Sequence, residues 1–128
     1  MTKMTAEEYR QQSKRTVKPG MDGDFAFWAL GIAGEGGEFA DMIKKAIYHG
    51  HELTARDIKN EIGDLMFYVA GALRLMNITF EEVMEYNILK LRTRYPDGFS
   101  TEASKARVDV NAVNENRPPD HTGGATGE

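Results

Sequence analysis

The sequence contains no cysteine, and this absence excludes a disulfide framework, a thiolate metal site and a thiol nucleophile. A long hydrophobic run is also missing. The longest mostly apolar stretch, residues 62–76, contains Asp64 and Arg74, and it is shorter than the roughly 18 to 20 apolar residues that a membrane-spanning helix needs. The N-terminal residues include no apolar segment of the kind found in signal peptides. We therefore expect a cytoplasmic protein with no membrane partner.

Positively charged residues are also fewer than negatively charged ones. The 128 residues include 16 Lys or Arg and 20 Asp or Glu, which gives a formal net charge of −4. Sequence-independent binding to nucleic acid requires a basic stripe that displaces counterions, so we expect no nucleic-acid partner. A small molecule that carries phosphate is compatible with this charge, because a few local cations or a metal ion suffice to bind it. The composition, 41% hydrophobic and 28% charged, is typical of one ordinary domain.

Four helices are predicted from capping signals and apolar spacing. Three of them begin at a signature in which a threonine is followed three residues later by an acid. Asp22 or Asp24 is a candidate cap for the other helix, and Pro96 ends the last helix because it disfavours helical geometry at Tyr95. The predicted helices cover residues 6–16, 25–48, 55–76 and 80–94.

The pattern of these helices predicts an all-α fold. Apolar residues recur at helical spacing, no stretch alternates with a period of two, and short loops favour an antiparallel bundle. About 90 residues in four helices bury only about 60 to 65% of their surface, so we expect oligomerisation to complete the bundle. We assign residues 1–100 to the all-α domain. Residues 101–128 are predicted to be a disordered tail, because from Asn111 onward they offer almost nothing to bury.

Four acids lie on helix faces that otherwise carry apolar residues. Glu35 and Glu38 on the second predicted helix, and Glu61 and Asp64 on the third, are each spaced i, i+3 and therefore share one face. Their apolar neighbours indicate that they face the core. Clustered carboxylates withdrawn from water repel one another or take up protons unless a cation compensates them. The pattern predicts a shared metal site, and solvated helix faces are the alternative interpretation.

The donor set also indicates which metal such a site binds. Carboxylates alone favour Mg²⁺, with Mn²⁺ as a possible substitute. Carboxylate-bridged di-iron bundles use Glu-x-x-His, and no histidine stands three residues after any of these acids. His49 and His51 fall in the loop after the second predicted helix, where we expect an exposed or capping role.

Several glycines fall inside the predicted helices, although each costs about 1 kcal/mol relative to alanine there. Close approach of another helix, or of a ligand to the backbone, is the usual compensation, and a loop is the alternative for the second helix. The glycines concerned are Gly31, Gly34, Gly36 and Gly37 in the second helix, and Gly63 and Gly71 in the third.

Other side chains are candidates for substrate binding. Asn87, Lys90 and Arg94 form a polar row on the fourth predicted helix that can face phosphate oxygens, and a solvated basic face is the alternative. The remaining candidates have core or solvent-exposed roles as alternatives. They are Lys44 and Lys45 for a phosphate, Tyr68 with its hydroxyl toward the acids, and Trp28 as a flat surface for a base.

The ordered set of motifs resembles the MazG-like nucleoside triphosphate pyrophosphohydrolases, in particular the small single-domain type of bacteria and phages. The resemblance rests on Glu35-Gly36-Gly37-Glu38, on Glu61-Ile62-Gly63-Asp64, and on the segment that runs from Asn87 through Lys90 and Arg94 to Tyr95-Pro96. It covers roughly residues 20 to 100. Either acidic motif alone is weak, whereas the ordered set is specific.

The resemblance implies a fold and an activity. The fold is all-α and assembles as homodimers or homotetramers, and the activity is Mg²⁺-dependent cleavage of a nucleoside or deoxynucleoside triphosphate to the monophosphate and pyrophosphate, in the host cytoplasm if the protein is phage-encoded. The metal ligands and catalytic residues are implied to be Glu35, Glu38, Glu61 and Asp64, and Asn87, Lys90 and Arg94 are implied to lie near the phosphates.

The resemblance leaves the general base and the substrate open. Some members of the family carry an additional acid just before the first motif glutamate, which can act as a base on the attacking water, and Gly34 occupies that position here. A related all-α enzyme that acts on phosphoribosyl-ATP or dUTP is an alternative. A catalytically silent, metal-binding interaction module is a further one.

Overall fold

The structure is a computed structural model that describes residues 2–110, and within this range every regular element is helical. α1 (Ala6–Gln12) continues into a 3₁₀ helix (Ser13–Thr16), and the chain then forms α2 (Phe25–Tyr48), α3 (Ala55–Met76), α4 (Phe80–Arg94) and α5 (Thr101–Ala106). The one β pairing in this range is an isolated bridge between Pro96 and Gly98. The all-α prediction is confirmed. None of the helices in the described part of the chain combines the length and the apolar character that crossing a membrane would require.

The bounds of α2 and α3 are the predicted ones because local caps define them. Asp24 Oδ1 accepts a hydrogen bond from the Phe27 amide at 3.2 Å. At the start of α3, Thr54 and Asp57 form a reciprocal capping box, with amide-to-side-chain distances of 3.0 and 3.2 Å. Asn77 ends α3 in the left-handed conformation, with φ of 54°, which satisfies the last carbonyls of a helix.

The first predicted helix is only partly α-helical. Residues 13–16 form the tighter 3₁₀ helix instead of continuing α1. The Ser13 hydroxyl donates to the Arg10 carbonyl at 3.2 Å, and the Thr16 hydroxyl donates to the Ser13 carbonyl at 3.3 Å. Such side-chain bonds compete with the regular helical ladder, and 3₁₀ turns are frequent at helix ends.

The described residues fall into two compact units, divided between Val83 and Met84. In the first unit, α2 packs along α3, and α1 and the 3₁₀ helix pack against α3. Trp28 of α2 is fully buried, and its Nε1 donates to the Asp22 carbonyl at 3.0 Å. The rings of Phe27, Phe67 and Tyr68 surround it.

Two glycines allow α2 and α3 to approach this closely. A Cβ atom on Gly71 would lie 2.2 Å from the ring of Trp28, and one on Gly31 would lie 2.0 Å from the ring of Tyr68. The prediction of close approach is therefore confirmed at these two positions. At the other helical glycines, apart from chain neighbours and the backbone of the same helix, no described atom lies within 4 Å of the position that a Cβ would take; these are Gly34, Gly36, Gly37 and Gly63.

The second unit contains a helix where disorder was predicted. Residues 101–106 form α5, which Ser100 caps by accepting a hydrogen bond from the Ala103 amide at 3.0 Å. After α5, the buried carboxylate of Asp109 binds Arg94 through two hydrogen bonds of 2.7 Å. The prediction of disorder from residue 101 is therefore wrong for residues 101–110. It fails because composition does not reveal a pair between distant residues such as Arg94 and Asp109. The rest of the predicted tail, residues 111–128, lies outside the described residues.

Candidate metal centre

The two acidic motifs meet across the contact between α2 and α3. Carboxylate oxygens of Glu35, Glu38 and Glu61 all lie within 4.8 Å of one another. The i, i+3 spacing places both acids of a motif on one side of their helix, and the packing of α2 on α3 brings the two sides together. The structure thus gathers three of the four predicted ligands into a group that can hold a metal ion.

The four acids differ in burial. Glu35 and Glu61 are half-buried, whereas Glu38 and Asp64 are exposed. The prediction that all four face the core is therefore wrong for Glu38 and Asp64. A step of three residues rotates a side chain by about 60° around the helix axis, which moves the second acid of each motif toward solvent.

Two carboxylate oxygens in this group lack a partner. Glu35 Oε2 and Glu61 Oε2 are shielded from solvent, and no described residue donates a hydrogen bond to either atom. A buried acceptor without a donor costs about 1 to 3 kcal/mol, and more when it is charged. A divalent cation bound between these oxygens would remove that penalty, so the residues present fit a metal with a preference for oxygen ligands.

Electrostatic repulsion within the group acts on Glu35. Burial raises the pKa of the Glu35 carboxyl above its ordinary value, and the negative charges of Glu38, Asp64 and Glu61 raise it further, in that order. Asp64 therefore belongs to the electrostatic environment of the centre, although it is not one of the three acids that lie within 4.8 Å of one another. A cation would relieve the repulsion among all four.

An open pocket of about 490 Å³ adjoins the centre, and Glu38 and Glu61 form part of its wall. Five of its residues are acidic, so an anionic ligand would enter it together with a cation. His51, for which the sequence predicted an exposed or capping role, lines this pocket. The other lining residues are Asp41, Met42, Lys45, Glu52 and Asp57.

Lys44 and Lys45 both form salt bridges with Asp41. Hydrogen bonds from the two ammonium groups lower the pKa of the Asp41 carboxyl to about 2. Lys45 also lines the pocket, whereas Lys44 is exposed. Exposed ion pairs of this kind contribute little stability, and the binding of a phosphate by these two lysines stays a prediction.

The two aromatic candidates take part in the packing of α2 on α3. Trp28 is fully buried, so the predicted role as a surface for a base is wrong, and the ring belongs to the core. Tyr68 is half-buried, with its ring centroid 6.1 Å from that of Trp28 and its edge over Gly31. A contact between the Tyr68 hydroxyl and substrate stays a prediction.

One residue of the polar row on α4, Arg94, forms a salt bridge within the second unit. The salt bridge with Asp109 holds the Arg94 guanidinium and raises the pKa of Arg94. Asn87 is exposed and Lys90 is half-buried. The binding of phosphate by these three residues stays a prediction, and the sequence contained no signal for Asp109 as a partner.

Sequence reasoning missed Tyr9. The hydroxyl of this α1 residue donates to the carbonyl oxygen of Gly63, at 3.4 Å, inside the second acidic motif. Burial and then the negative charge of Asp64 raise the pKa of Tyr9. The available signal was an aromatic residue in the otherwise polar first helix, whose start the capping box of Thr5 and Glu8 fixes.

Comparison with known proteins agrees with this geometry. The sequence model of the MazG nucleotide pyrophosphohydrolase domain matches residues 27–99, a range that includes all four acids and more than half of the chain. The Gene 37 protein of Mycobacterium phage L5 is 29% identical over 77 residues, which cover 57% of this chain and 68% of the phage protein. No solved structure gives a significant match. The chain therefore belongs to the family of MazG nucleotide pyrophosphohydrolase domains.

Proposed function

We propose that this protein is a Mg²⁺-dependent enzyme that hydrolyses a nucleoside or deoxynucleoside triphosphate to the monophosphate and pyrophosphate. The observation that carries the proposal is the group formed by Glu35, Glu38 and Glu61, with carboxylate oxygens within 4.8 Å of one another. Its position in a MazG domain supports the general class of reaction. The open pocket beside the group offers room for a substrate.

The four acids would hold the metal, with Mn²⁺ as a substitute for Mg²⁺. Glu35 and Glu61 supply oxygens that are already shielded from water, Glu38 lies in the same group, and the exposed carboxylate of Asp64 can rotate to complete the ligand set. When bound, the metal neutralises charge on the triphosphate and lowers the pKa of a coordinated water. Because Gly34 offers no side chain before the first motif, one of the four carboxylates would accept the proton of the attacking water.

Basic side chains would position the phosphates. Lys45 lines the pocket beside Glu38 and Glu61, and it would exchange Asp41 for a phosphate oxygen. Such contacts place the triphosphate in line with the attacking water, and this positioning is a large part of catalysis in phosphoryl transfer.

The proposal is tested by the products formed from a panel of nucleoside triphosphates and deoxynucleoside triphosphates, with dUTP and phosphoribosyl-ATP included. Phosphorus NMR would resolve pyrophosphate from orthophosphate, and hydrolysis in ¹⁸O-labelled water would show which phosphorus is attacked. We expect pyrophosphate with Mg²⁺ or Mn²⁺ and no turnover in EDTA. Glu61→Gln should lower kcat/KM by on the order of 100-fold or more, because a bound metal contributes several kcal/mol of transition-state stabilisation.

Glu52→Gln is the matched control for this experiment. Glu52 lines the same pocket but is not part of the three-acid group, so its substitution should leave most of the activity. Full turnover in EDTA, or orthophosphate as the first product, would contradict the proposal. Equal losses in both variants would contradict the assignment of the ligands.

A further inference from the structure

The N-terminal segment, which precedes the residues matched by the family, is anchored to α3 by a buried arginine. The Arg74 guanidinium donates through Nη1 to the Arg10 carbonyl at 2.8 Å and to the Ser13 hydroxyl oxygen at 2.9 Å. Its Nη2 lies 3.6 Å from Asp22 Oδ1, and its Cζ lies 5.5 Å from the centroid of the Trp28 ring. These contacts fix the position of α1 on the surface of α3.

The same helix reaches the second acidic motif at Tyr9. The Tyr9 hydroxyl donates to the Gly63 carbonyl oxygen at 3.4 Å, and Gly63 lies between Glu61 and Asp64 in the chain. The Tyr9 ring is half-buried, with its centroid 6.4 Å from that of Phe80. A half-buried side chain therefore contacts the backbone of the α3 turn that carries two of the four acids.

The electrostatic setting keeps this hydroxyl a hydrogen-bond donor. The ordinary pKa of tyrosine, about 10, already keeps the phenol neutral at pH 7, and burial and then the charge of Asp64 raise the pKa of Tyr9 further. The Gly63 carbonyl has a second lone pair that the ladder of α3 does not use, and the hydroxyl can occupy it. This additional bond joins α1 to the α3 turn that carries the Glu61 and Asp64 carboxylates.

We propose that Tyr9 is a positioning residue of the metal centre, because its hydroxyl holds the α3 turn that presents Glu61 and Asp64 to the metal. This inference rests on the proposed function, because it requires that Glu61 and Asp64 bind a divalent metal ion. Partners that orient ligands without touching the metal change metal affinity by typically about 10 to 100-fold when they are removed. Tyr9 would make the N-terminal segment part of the site.

Tyr9→Phe tests this role, because it retains the ring and the packing against Phe80 and removes the hydroxyl alone. The probe is Mn²⁺, titrated into the full chain without nucleotide and followed by electron paramagnetic resonance. We expect the Mn²⁺ dissociation constant to rise by about 10-fold. The control is Tyr48→Phe, which removes a hydroxyl from an exposed ring at the end of α2 and should leave the dissociation constant unchanged.

Melting temperature and kinetics separate this role from a purely structural one. A positioning role predicts that Tyr9→Phe needs more Mg²⁺ for half-maximal rate and approaches the wild-type kcat when Mg²⁺ is saturating. A lower melting temperature with unchanged Mn²⁺ affinity would overturn the role of Tyr9 and leave the proposed function standing. Wild-type protein that binds Mn²⁺ without hydrolysing any triphosphate would overturn the proposed function only, and wild-type protein that binds no Mn²⁺ would overturn both.

Discussion

At the scale of single residues, Glu35 makes the stability of the metal-free protein depend on pH. Its pKa is raised in the folded chain from an ordinary value of 4.5, chiefly by burial. A group of this kind stabilises the folded state below its unfolded pKa, and that contribution disappears as the pH rises through the folded pKa. In EDTA, we therefore expect Glu35 to contribute less and less to the wild-type melting temperature as the pH rises above about 4.5.

Glu35→Gln removes the pH-dependent contribution of this carboxyl to stability, and it removes the repulsion between Glu35 and the other acids. Scanning calorimetry between about pH 4.5 and 8 should show that, in EDTA at pH 7, the variant melts above the wild type. With Mg²⁺ present the order should reverse, because only the wild type gains the full stabilisation of a bound ion. Glu52→Gln serves as control and should show neither effect. A Glu35→Gln variant that melts below the wild type in EDTA would contradict this account.

The sequence singled out the three acids that the structure brings together, Glu35, Glu38 and Glu61, because each motif is a local pattern on one helix. The contacts that modify the centre join residues far apart in the chain. Tyr9 reaches Gly63, 54 positions away, and Arg94 pairs with Asp109. Nothing in the spacing of either pair identifies its partner. For Trp28, both a substrate-facing role and a core role were open, because helical spacing gives an angle around α2 and does not give the depth of burial; its full burial selects the core.

At the scale of elements, the contact between α2 and α3 depends on Gly71. A Cβ atom there would lie 2.2 Å from the ring of Trp28, which is fully buried and cannot move away without displacing its neighbours. We expect Gly71→Ala to lower the free energy of unfolding by about 1 to 3 kcal/mol, the usual effect of overpacking a core. Urea denaturation followed by circular dichroism measures this change.

Gly34→Ala is the matched control within α2. Apart from chain neighbours and the backbone of α2 itself, no described atom lies within 4 Å of its Cβ position, so alanine should raise the free energy of unfolding by about 0.5 to 1 kcal/mol through helix propensity. Opposite signs for the two substitutions are the expected result. Stabilisation by Gly71→Ala would show that the rings do not fill the space beside this glycine.

Helix boundaries were predictable where neighbouring residues determine them. Asp24, Thr54 and Asn77 are caps that act within a few positions of themselves, and α2 begins, and α3 begins and ends, where these signals indicate. The 3₁₀ helix after α1 and the short α5 were not predicted. Ser13 also accepts a hydrogen bond from Arg74 of α3, a long-range contact that a local pattern does not reveal.

At the scale of the whole molecule, apolar side chains on the surface favour self-association. α4 has no buried residue, and Met84, Ile88 and Leu91, spaced i, i+4 and i+7 on one face, are 53%, 49% and 38% exposed. Burying large apolar side chains contributes about 1.5 to 3 kcal/mol each. We expect light scattering at micromolar concentration to give the mass of a dimer or tetramer, and Ile88→Glu to shift this mass toward the monomer.

Thr93→Glu controls for the added charge in this experiment. Thr93 is an exposed polar residue of the same helix, so its substitution introduces the same carboxylate without removing apolar surface. The control should keep the wild-type mass. A strictly monomeric wild type would contradict the expectation of an oligomer, and equal dissociation by both variants would attribute the effect to charge instead of to the apolar face.

The burial of Trp28 makes tryptophan fluorescence an intrinsic probe of this protein. It is the single tryptophan of the sequence, and it lies between α2 and α3 with the Arg74 guanidinium over its ring. Its fluorescence therefore reports on one place, the contact between the two helices that carry all four acids. Emission shifts to longer wavelength when water reaches an indole ring, so unfolding can be followed without any label. Titration with Mg²⁺ can be followed in the same cuvette, because a change in the fit of α2 against α3 alters the surroundings of that ring.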